Sequence, residues 1–321
     1  AVDGVSFDIA RGETLALVGE SGCGKSSVAR ALMQLAPASG GDIQLEGQSL
    51  AALPRATLKL LRRRFQMIFQ DPISSLNPKR RVRDILAMPL KVNGLFDRSR
   101  SELQIRNALE MVGLDAAAVM ERYPHEFSGG QCQRISIARA LILEPALLVC
   151  DEPVSALDVS VRAQVLNVLN GLRGRLGLAM LFISHDLAVV RNVADRVAVM
   201  YLGRIVEIGD ADAVLRSPAH PYTAALLSAV PVADPDAARD RIRLKGEMPS
   251  PMSVPSGCRF RTRCPAAQAR CAGEDPGLVE VGDARRVACH FPFSVISTAP
   301  ALQPAAAAHT LVQTPQQETV P

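Results

Sequence analysis

Val5, Phe7 and Ile9 alternate with Ser6 and Asp8, which predicts a strand with one buried face, and Arg11-Gly12 supplies the turn after it. Thr14-Leu-Ala-Leu-Val18 breaks that alternation. It is apolar throughout, as are Ala146-Leu-Leu-Val-Cys150 and Ala179-Met-Leu-Phe-Ile183, and a strand of that character is covered on both faces. Between these runs lie helical patterns, such as Ile135, Ala138, Leu141 and Ile142 on one face. Buried strands alternating with helices predict an α/β fold with a largely parallel sheet. From about 72 to 144 the pattern is helical with few strand signals, which predicts an inserted helical subdomain. After Val230, the prolines 231, 235, 249, 251 and 255 predict linker or irregular structure rather than continuing sheet. From about Ser294 the chain is rich in Ala, Pro, Gln and Thr without periodicity, the composition of a disordered tail. The expected division is 1–230, 231–293 and 294–321.

Composition sharpens this picture only in part. The 321 residues, 48% hydrophobic and 21% charged, suffice for a large core and exclude disorder as the dominant state. Charges such as Glu144 and Asp151 interrupt the longest apolar runs well short of a membrane span. A net charge of +4, 4% aromatics and no Trp offer little to a nucleic acid, so no nucleic-acid partner is expected. The first residue is Ala and no basic segment leads into an apolar one, so the sequence reads as a fragment whose natural start is missing. Of seven cysteines, Cys23, Cys132 and Cys150 stand singly, whereas Cys258, Cys264, Cys271 and Cys289 cluster.

The strand ending at Val18 runs into Gly19-Glu-Ser-Gly-Cys-Gly-Lys-Ser26, a G-x-x-x-x-G-K-[ST] motif, and a helix is predicted from Ser27 to Leu35. Gly19, Gly22 and Gly24, with Glu20, Ser21 and Cys23 between them, let the backbone curl so that N–H groups point at phosphates. The helix start at Ser27 adds positive potential, Lys25 reaches the β/γ-phosphates and Ser26 can ligate Mg²⁺. A nucleotide site also needs a carboxylate on the metal and a group to orient the attacking water. Asp151 and Glu152 end a buried strand where α/β sheets bind ligands. Neighbouring strand residues point opposite ways, so Asp151 is assigned to Mg²⁺ and Glu152 to the water. His185 follows the strand 179–183 and is placed at the same edge; a lone His is more often structural.

Phe127-Ser128-Gly-Gly-Gln131 precedes the amphipathic helix, with Ser128 placed as an N-cap and Gly129 and Gly130 permitting close approach, which makes a second anion site or an ordinary helix start. With the phosphate loop it resembles the signature of ATP-binding-cassette (ABC) ATPases, and the other motifs stand in order. Gln70 is similar to the Q-loop glutamine, Ser155-Ala-Leu-Asp158 to the D-loop and His185 to the switch histidine. The resemblance implies a P-loop NTPase (RecA-like) core with an antiparallel β subdomain, ATP and Mg²⁺ as cofactors, and Ser26, Gln70 and Asp151 around the metal. It also implies Glu152, Gln70 and His185 at the chemistry, with Ser128, Gly129, Gly130, Gln131 and Asp158 acting on ATP bound to a partner.

Phe69-Gln-Asp-Pro-Ile-Ser-Ser-Leu-Asn-Pro78, His220-Pro-Tyr-Thr223 and Gly257-Cys-Arg-Phe-Arg-Thr-Arg-Cys-Pro265 resemble the ATP-binding subunits of bacterial dipeptide/oligopeptide importers, and Gly22-Cys-Gly24 with the opening Ala1-Val-Asp-Gly-Val5 resembles the second of the usual pair more than the first. That resemblance implies a paralogous or identical ATPase partner, two transmembrane permease subunits, a periplasmic or lipoprotein receptor, and a peripheral place on the cytoplasmic face of the inner membrane. Related subunits serve nickel, glutathione or oligosaccharide import. The family's adenine-stacking aromatic would lie upstream of Ala1, and Phe127 stands where many members have Leu. The basic residues Arg62-Arg-Arg64, Lys79-Arg-Arg81 and Arg83 read first as a solvated face and second as a contact to the permeases or to lipid headgroups. ABC ATPases acting on DNA or ribosomes usually carry long coiled-coil insertions or two cassettes. P-loop kinases lack residues 128–131, and intact Lys25, Asp151, Glu152 and His185 argue against a dead cassette.

Five, six and seventeen residues separate Cys258, Cys264, Cys271 and Cys289. Their spacing leaves Zn²⁺, an iron–sulfur cluster or no metal open. The family resemblance implies a [4Fe–4S] cluster in a small Cys-rich C-terminal extension, expected to be remote from ATP chemistry.

Overall fold

The computed structural model describes residues 2–293 except 52, 231–240 and 283; the tail expected from Ser294 lies outside the described residues. The described residues form ten strands: β1 Thr14–Val18, β2 Gln44–Leu45, β3 Gln48–Ser49, β4 Phe65–Ile68, β5 Leu147–Asp151, β6 Ala179–Ser184, β7 Arg196–Tyr201, β8 Arg204–Asp210, β9 Val279–Glu280 and β10 Arg286–Val287. Eight form one sheet in the order β4-β5-β6-β1-β7-β8-β10-β9, while β2 and β3 make a separate hairpin. The first five are parallel; β8, β10 and β9 add antiparallel.

Continuous apolar character has the expected cause. Leu15, Leu17, Val149, Leu181 and Ile183 pack on one face of the sheet with Val28 and Ala29 of the helix Lys25–Leu32. Ala16, Val18, Leu148, Cys150 and Phe182 pack on the other, against Ile135 and Ala138 of the helix Gly129–Leu141 and Val165 of the helix Val159–Leu176. Neighbouring residues on each strand therefore serve opposite cores. The hairpin β7–β8 turns through Leu202 and Gly203 alone, both at positive φ, as a type I′ turn requires.

Between β4 and β5 the described residues hold helices and no strand: Pro72–Ser75, Val82–Val92, Arg98–Met111, Ala116–Val119 and Gly129–Leu141, with a 3₁₀ turn at Pro124–Glu126. Two expectations are corrected. Val5, Phe7 and Ile9 are half-buried and alternate with exposed neighbours, but the segment belongs to no β-ladder among the described residues. Alternation there records a buried face, and pairing needs a neighbour that alternation does not supply. The sheet also continues past Val230, because β10 joins β8 through Arg286 opposite Ile208. Two-residue strands are too short to produce a readable alternation.

Register explains why the site has a single edge. Val18 lies beside Ser184, Asp151 beside Ile183 and Ile68 beside Cys150. Parallel strands in this order bring Gly19, Glu152, His185 and Gln70 out at one carboxyl-terminal rim.

Candidate nucleotide site

Gly19, directly after β1, leaves no room for a side chain. A Cβ there would lie 2.2 Å from the Met200 carbonyl oxygen and 2.8 Å from the Cys23 thiol. Gly24 holds φ at 113° and turns the loop into the helix Lys25–Leu32, whose first residues carry the motif's Lys and Ser. The helix begins two residues earlier and ends three earlier than the sequence reading; Leu35 beyond it is exposed. Ser21 and Gly22 are exposed, Cys23 is buried, and Ser26 and Ser27 are half-buried. Buried Lys25 donates from Nζ to the carbonyl oxygens of Gly19 at 2.8 Å and Glu20 at 3.1 Å.

The Ser26 hydroxyl donates to Asp151 Oδ1 at 3.1 Å. Burial pushes the Asp151 carboxyl above its usual range, partly offset by that bond. Glu152 adopts φ 47°, a left-handed backbone that a non-glycine residue occupies at a cost of ~1–3 kcal/mol. Its carboxylate accepts from Gln70 Nε2 at 3.2 Å and lies 3.2 Å from His185 Nδ1. Gln70 and His185, 115 residues apart in sequence, thus meet on one carboxylate. The structure brings together Ser26 with Asp151, and Gln70, Glu152 and His185.

Ser128 caps the helix Gly129–Leu141 through a reciprocal box. Its hydroxyl accepts from the Gln131 N–H at 3.4 Å, and Gln131 Oε1 accepts from the Ser128 N–H at 3.0 Å. Ser128 is exposed and Gly129 half-buried, whereas Gly130 is buried against the helix Val159–Leu176, where a Cβ would fall 2.1 Å from Val161 Cγ1. Gly130 therefore has a packing role within its own chain, and substituting it would disturb the lone subunit. Asp158 is exposed at the start of Val159–Leu176 and makes no side-chain cap. Phe127 is half-buried in the core beneath the signature and takes the Arg122 guanidinium over its ring at 4.6 Å.

Of the basic runs, Arg64 pairs with Glu46, and Arg81 and Arg83 share Glu121, all exposed. Arg62 and Arg80 instead line a groove of about 670 Å³ with Gln66, Met88 and Arg139.

Cys258, Cys264, Cys271 and Cys289 line one small cavity with His220 and Phe260. Gly257 lets the chain close there, since a Cβ would lie 2.4 Å from the Cys271 carbonyl, and the Cys258 N–H donates to that carbonyl at 2.9 Å. Burial raises the Cys258 and Cys264 thiols, and Cys289 is pushed up to about 11, first by burial and then by the other thiolates. Among the described residues, no group of three or more His, Cys, Asp or Glu has the arrangement to hold a metal ion.

This segment, expected to be remote from ATP chemistry, nonetheless touches the nucleotide loop. Arg263, next to Cys264, forms a forked ion pair with Glu20 at 2.7 and 3.2 Å, and the Tyr222 hydroxyl accepts from the Glu20 N–H at 2.9 Å. Sequence reasoning missed both residues as parts of the site. His220-Pro-Tyr-Thr223 and Gly257–Pro265 were visible as motifs, but spacing carries nothing about which distant loop they touch.

Comparison with known proteins agrees with this geometry. Residues 2–155 match the ABC transporter family model, and residues 206–271 match the oligopeptide/dipeptide transporter C-terminal region. The chain is 51% identical over 294 residues to the putative oligopeptide transport ATP-binding protein YkfD of Bacillus subtilis, covering 91% of this chain and 89% of that protein. It is 52% identical to the oligopeptide transport ATP-binding protein OppF of Escherichia coli, covering 87% and 84%. The solved dimeric, post-hydrolysis structure of the ATP-binding cassette MJ0796 with ADP and Pi superposes with a TM-score of 0.59 at 25% identity, covering 65% of this chain and 90% of that one. This chain is an ATPase of the ABC transporter family, belonging with the ATP-binding proteins that carry the oligopeptide/dipeptide-transporter C-terminal region.

Proposed function

We propose that this chain hydrolyses ATP to power an importer of peptides. The observation that carries the chemistry is Glu152, gripped by Gln70 and His185 at the rim where Ser26 meets Asp151. Lys25 exchanges its loop carbonyls for the β/γ-phosphates. Ser26 and Asp151 offer oxygen donors suited to Mg²⁺, and Gln70, bonded through its nitrogen, keeps its amide oxygen for the same ion. Bound Mg²⁺ would neutralise charge on the phosphates. Glu152 orients a water and takes its proton as the water oxygen bonds to the γ-phosphorus and the bond to the β–γ bridging oxygen breaks. His185 holds Glu152 in place and faces the γ-phosphate.

The cargo reading rests on the relatives' names and the C-terminal match; nickel, glutathione and oligosaccharide are the alternatives. Exposed Ser128, with Gly129, Gly130, Gln131 and Asp158, acts on ATP held by a partner ATPase, a paralogue or second copy, and the dimeric cassette supports that arrangement. The permease subunits dock in the groove bearing Arg62 and Arg80, whose wall includes Gln66, four residues before Gln70. A receptor delivers cargo to those permeases from the far side, and the chain sits peripherally on the cytoplasmic face. None of its described helices is long and apolar enough to cross a membrane.

Residues 258–289 hold a [4Fe–4S] cluster in our reading. The four thiols line one cavity, and four thiolates are the ligand set such a cluster takes. The cluster would supply positive charge that keeps four thiolates together, those of Cys258 and Cys271 buried and those of Cys264 and Cys289 half-buried. Protein purified without oxygen should be brown with acid-labile sulfide near four per chain, as a [4Fe–4S] centre requires; colourless protein with one zinc would exclude it.

The function is tested by reconstituting the chain in vesicles with the permeases and receptor of a peptide importer that it assembles with. ATP-dependent uptake of a labelled oligopeptide is expected. Uptake of nickel, glutathione or an oligosaccharide without peptide would replace the cargo, and ATP hydrolysis without any uptake would contradict the transport role.

A further inference from the structure

Every polar group of Glu20 is taken. Its carboxylate receives the Arg263 fork, its N–H donates to the Tyr222 hydroxyl, and its carbonyl accepts from Lys25 Nζ at 3.1 Å and the Cys23 N–H at 3.3 Å. The Arg263 side chain is only 9% exposed, so the pair is largely withdrawn from solvent. Both grips come from the C-terminal part of the chain. Tyr222, Tyr201 and Phe260 pack edge to face or tilted with ring centres 4.7–5.3 Å apart, and Phe260 is also a wall of the cysteine cavity. Arg263 lies over the Tyr201 ring at 5.9 Å. Glu207, fully buried in β8, accepts from the N–H groups of Ala219 and His220 at 2.9 and 3.0 Å, and His220 Nδ1 accepts from the Tyr222 N–H at 3.0 Å. Tyr222 is therefore fixed from behind before it reaches the loop.

We propose that Arg263 and Tyr222 are positioning residues for the phosphate loop, through which the C-terminal part of the chain sets the affinity for ATP. A Glu20 N–H committed to Tyr222 is an anchor rather than a phosphate donor. The anchor holds the loop's curl before nucleotide arrives. Pre-organisation of this kind raises affinity by lowering the ordering cost of binding. Neither residue reaches Glu152, so the chemical step is unaffected once ATP is bound. The inference rests on the ATP reading of the loop.

Its test is an ATP titration of the full chain by calorimetry, with kcat at saturating ATP. Tyr222→Phe deletes one hydroxyl within an unchanged aromatic stack, and Arg263→Met deletes the fork. Kd should rise about tenfold for Arg263→Met and about threefold or more for Tyr222→Phe, as the loss of charged and neutral hydrogen bonds implies. Arg263→Lys, a point charge without the fork, should recover part of the loss. Arg270→Met, which removes an exposed pair with Glu274 in the same segment, should leave Kd unchanged. In all four, kcat should stay within about threefold, because a lost uniform binding contact appears in KM. Should Arg263→Met fail to fold, Tyr222→Phe decides. A folded Tyr222→Phe that binds ATP as tightly as the wild type, or one that loses kcat with KM unchanged, would overturn the proposal. A wild type that does not bind ATP would instead remove the reading beneath it.

Discussion

The nucleotide rim and the cysteine-rich segment are built by opposite means. At the rim each chemical group ends a strand or begins a helix, so the sheet register alone delivers Gly19, Glu152, His185 and Gln70 to one place. The cysteine-rich segment has one short helix, Arg270–Gly273, and two two-residue strands, and owes its shape to long-range contacts. Among them are Arg259 donating to the Leu202 carbonyl at 2.7 Å and the Phe260 ring inside the tyrosine pair. A scaffold of secondary structure permits strain where chemistry needs it, as at Glu152. A segment without one depends on each tether and on what its thiols hold.

The largest expected effect on binding is at the rim. Lys25→Ala should weaken ATP binding by ~10–100-fold, the worth of a charge-assisted phosphate contact, and lower the melting temperature as well, because it removes the donor to the Gly19 and Glu20 carbonyls. Unchanged affinity by calorimetry would remove Lys25 from the phosphate site.

The second effect belongs to the other region. Burial lowers His220 from its ordinary value of 6.5 to about 3, so the folded protein keeps it neutral. A depressed histidine contributes stability that is complete above the unfolded value and is lost as pH falls from there toward 3. Between pH 7.5 and 5 the loss from this group is about 2 kcal/mol. His220→Asn keeps an acceptor for the Tyr222 N–H without the titration, and its urea midpoint should fall less over that range. Parallel curves for the two proteins would contradict the assignment.

The smallest effect returns to the rim. Ser128→Ala removes half of the capping box and should cost about 1 kcal/mol in the isolated chain. ATP affinity of that lone chain should be unchanged; a weakened Kd would place the signature on its own nucleotide rather than a partner's.

The same contrast decides what the sequence made legible. Phosphate loop, acidic strand end and signature are contiguous motifs whose chemistry is local, and the two-faced apolar strands announced the sheet that assembles them. The ladder missing at Val5–Ile9 and the added β9 and β10 were hidden because pairing depends on neighbours distant in sequence. Gln70 and His185 were readable as motifs, but their common grip on Glu152 was not. Arg263 and Tyr222 were invisible as partners of Glu20 for the same reason, lying 243 and 202 residues away. Gly130 was legible as a glycine needed for close approach, but its packing against Val161 of its own chain was not.

The most direct measurement is single-turnover hydrolysis by Glu152→Gln assembled with its partner subunits, alongside ATP binding by calorimetry. The amide keeps the side chain's shape and its contact with His185 while losing the charge that polarises water. Binding within twofold of wild type with hydrolysis slowed ~10²–10⁴-fold is the expected result. Hydrolysis within threefold of the wild type would contradict the role of Glu152.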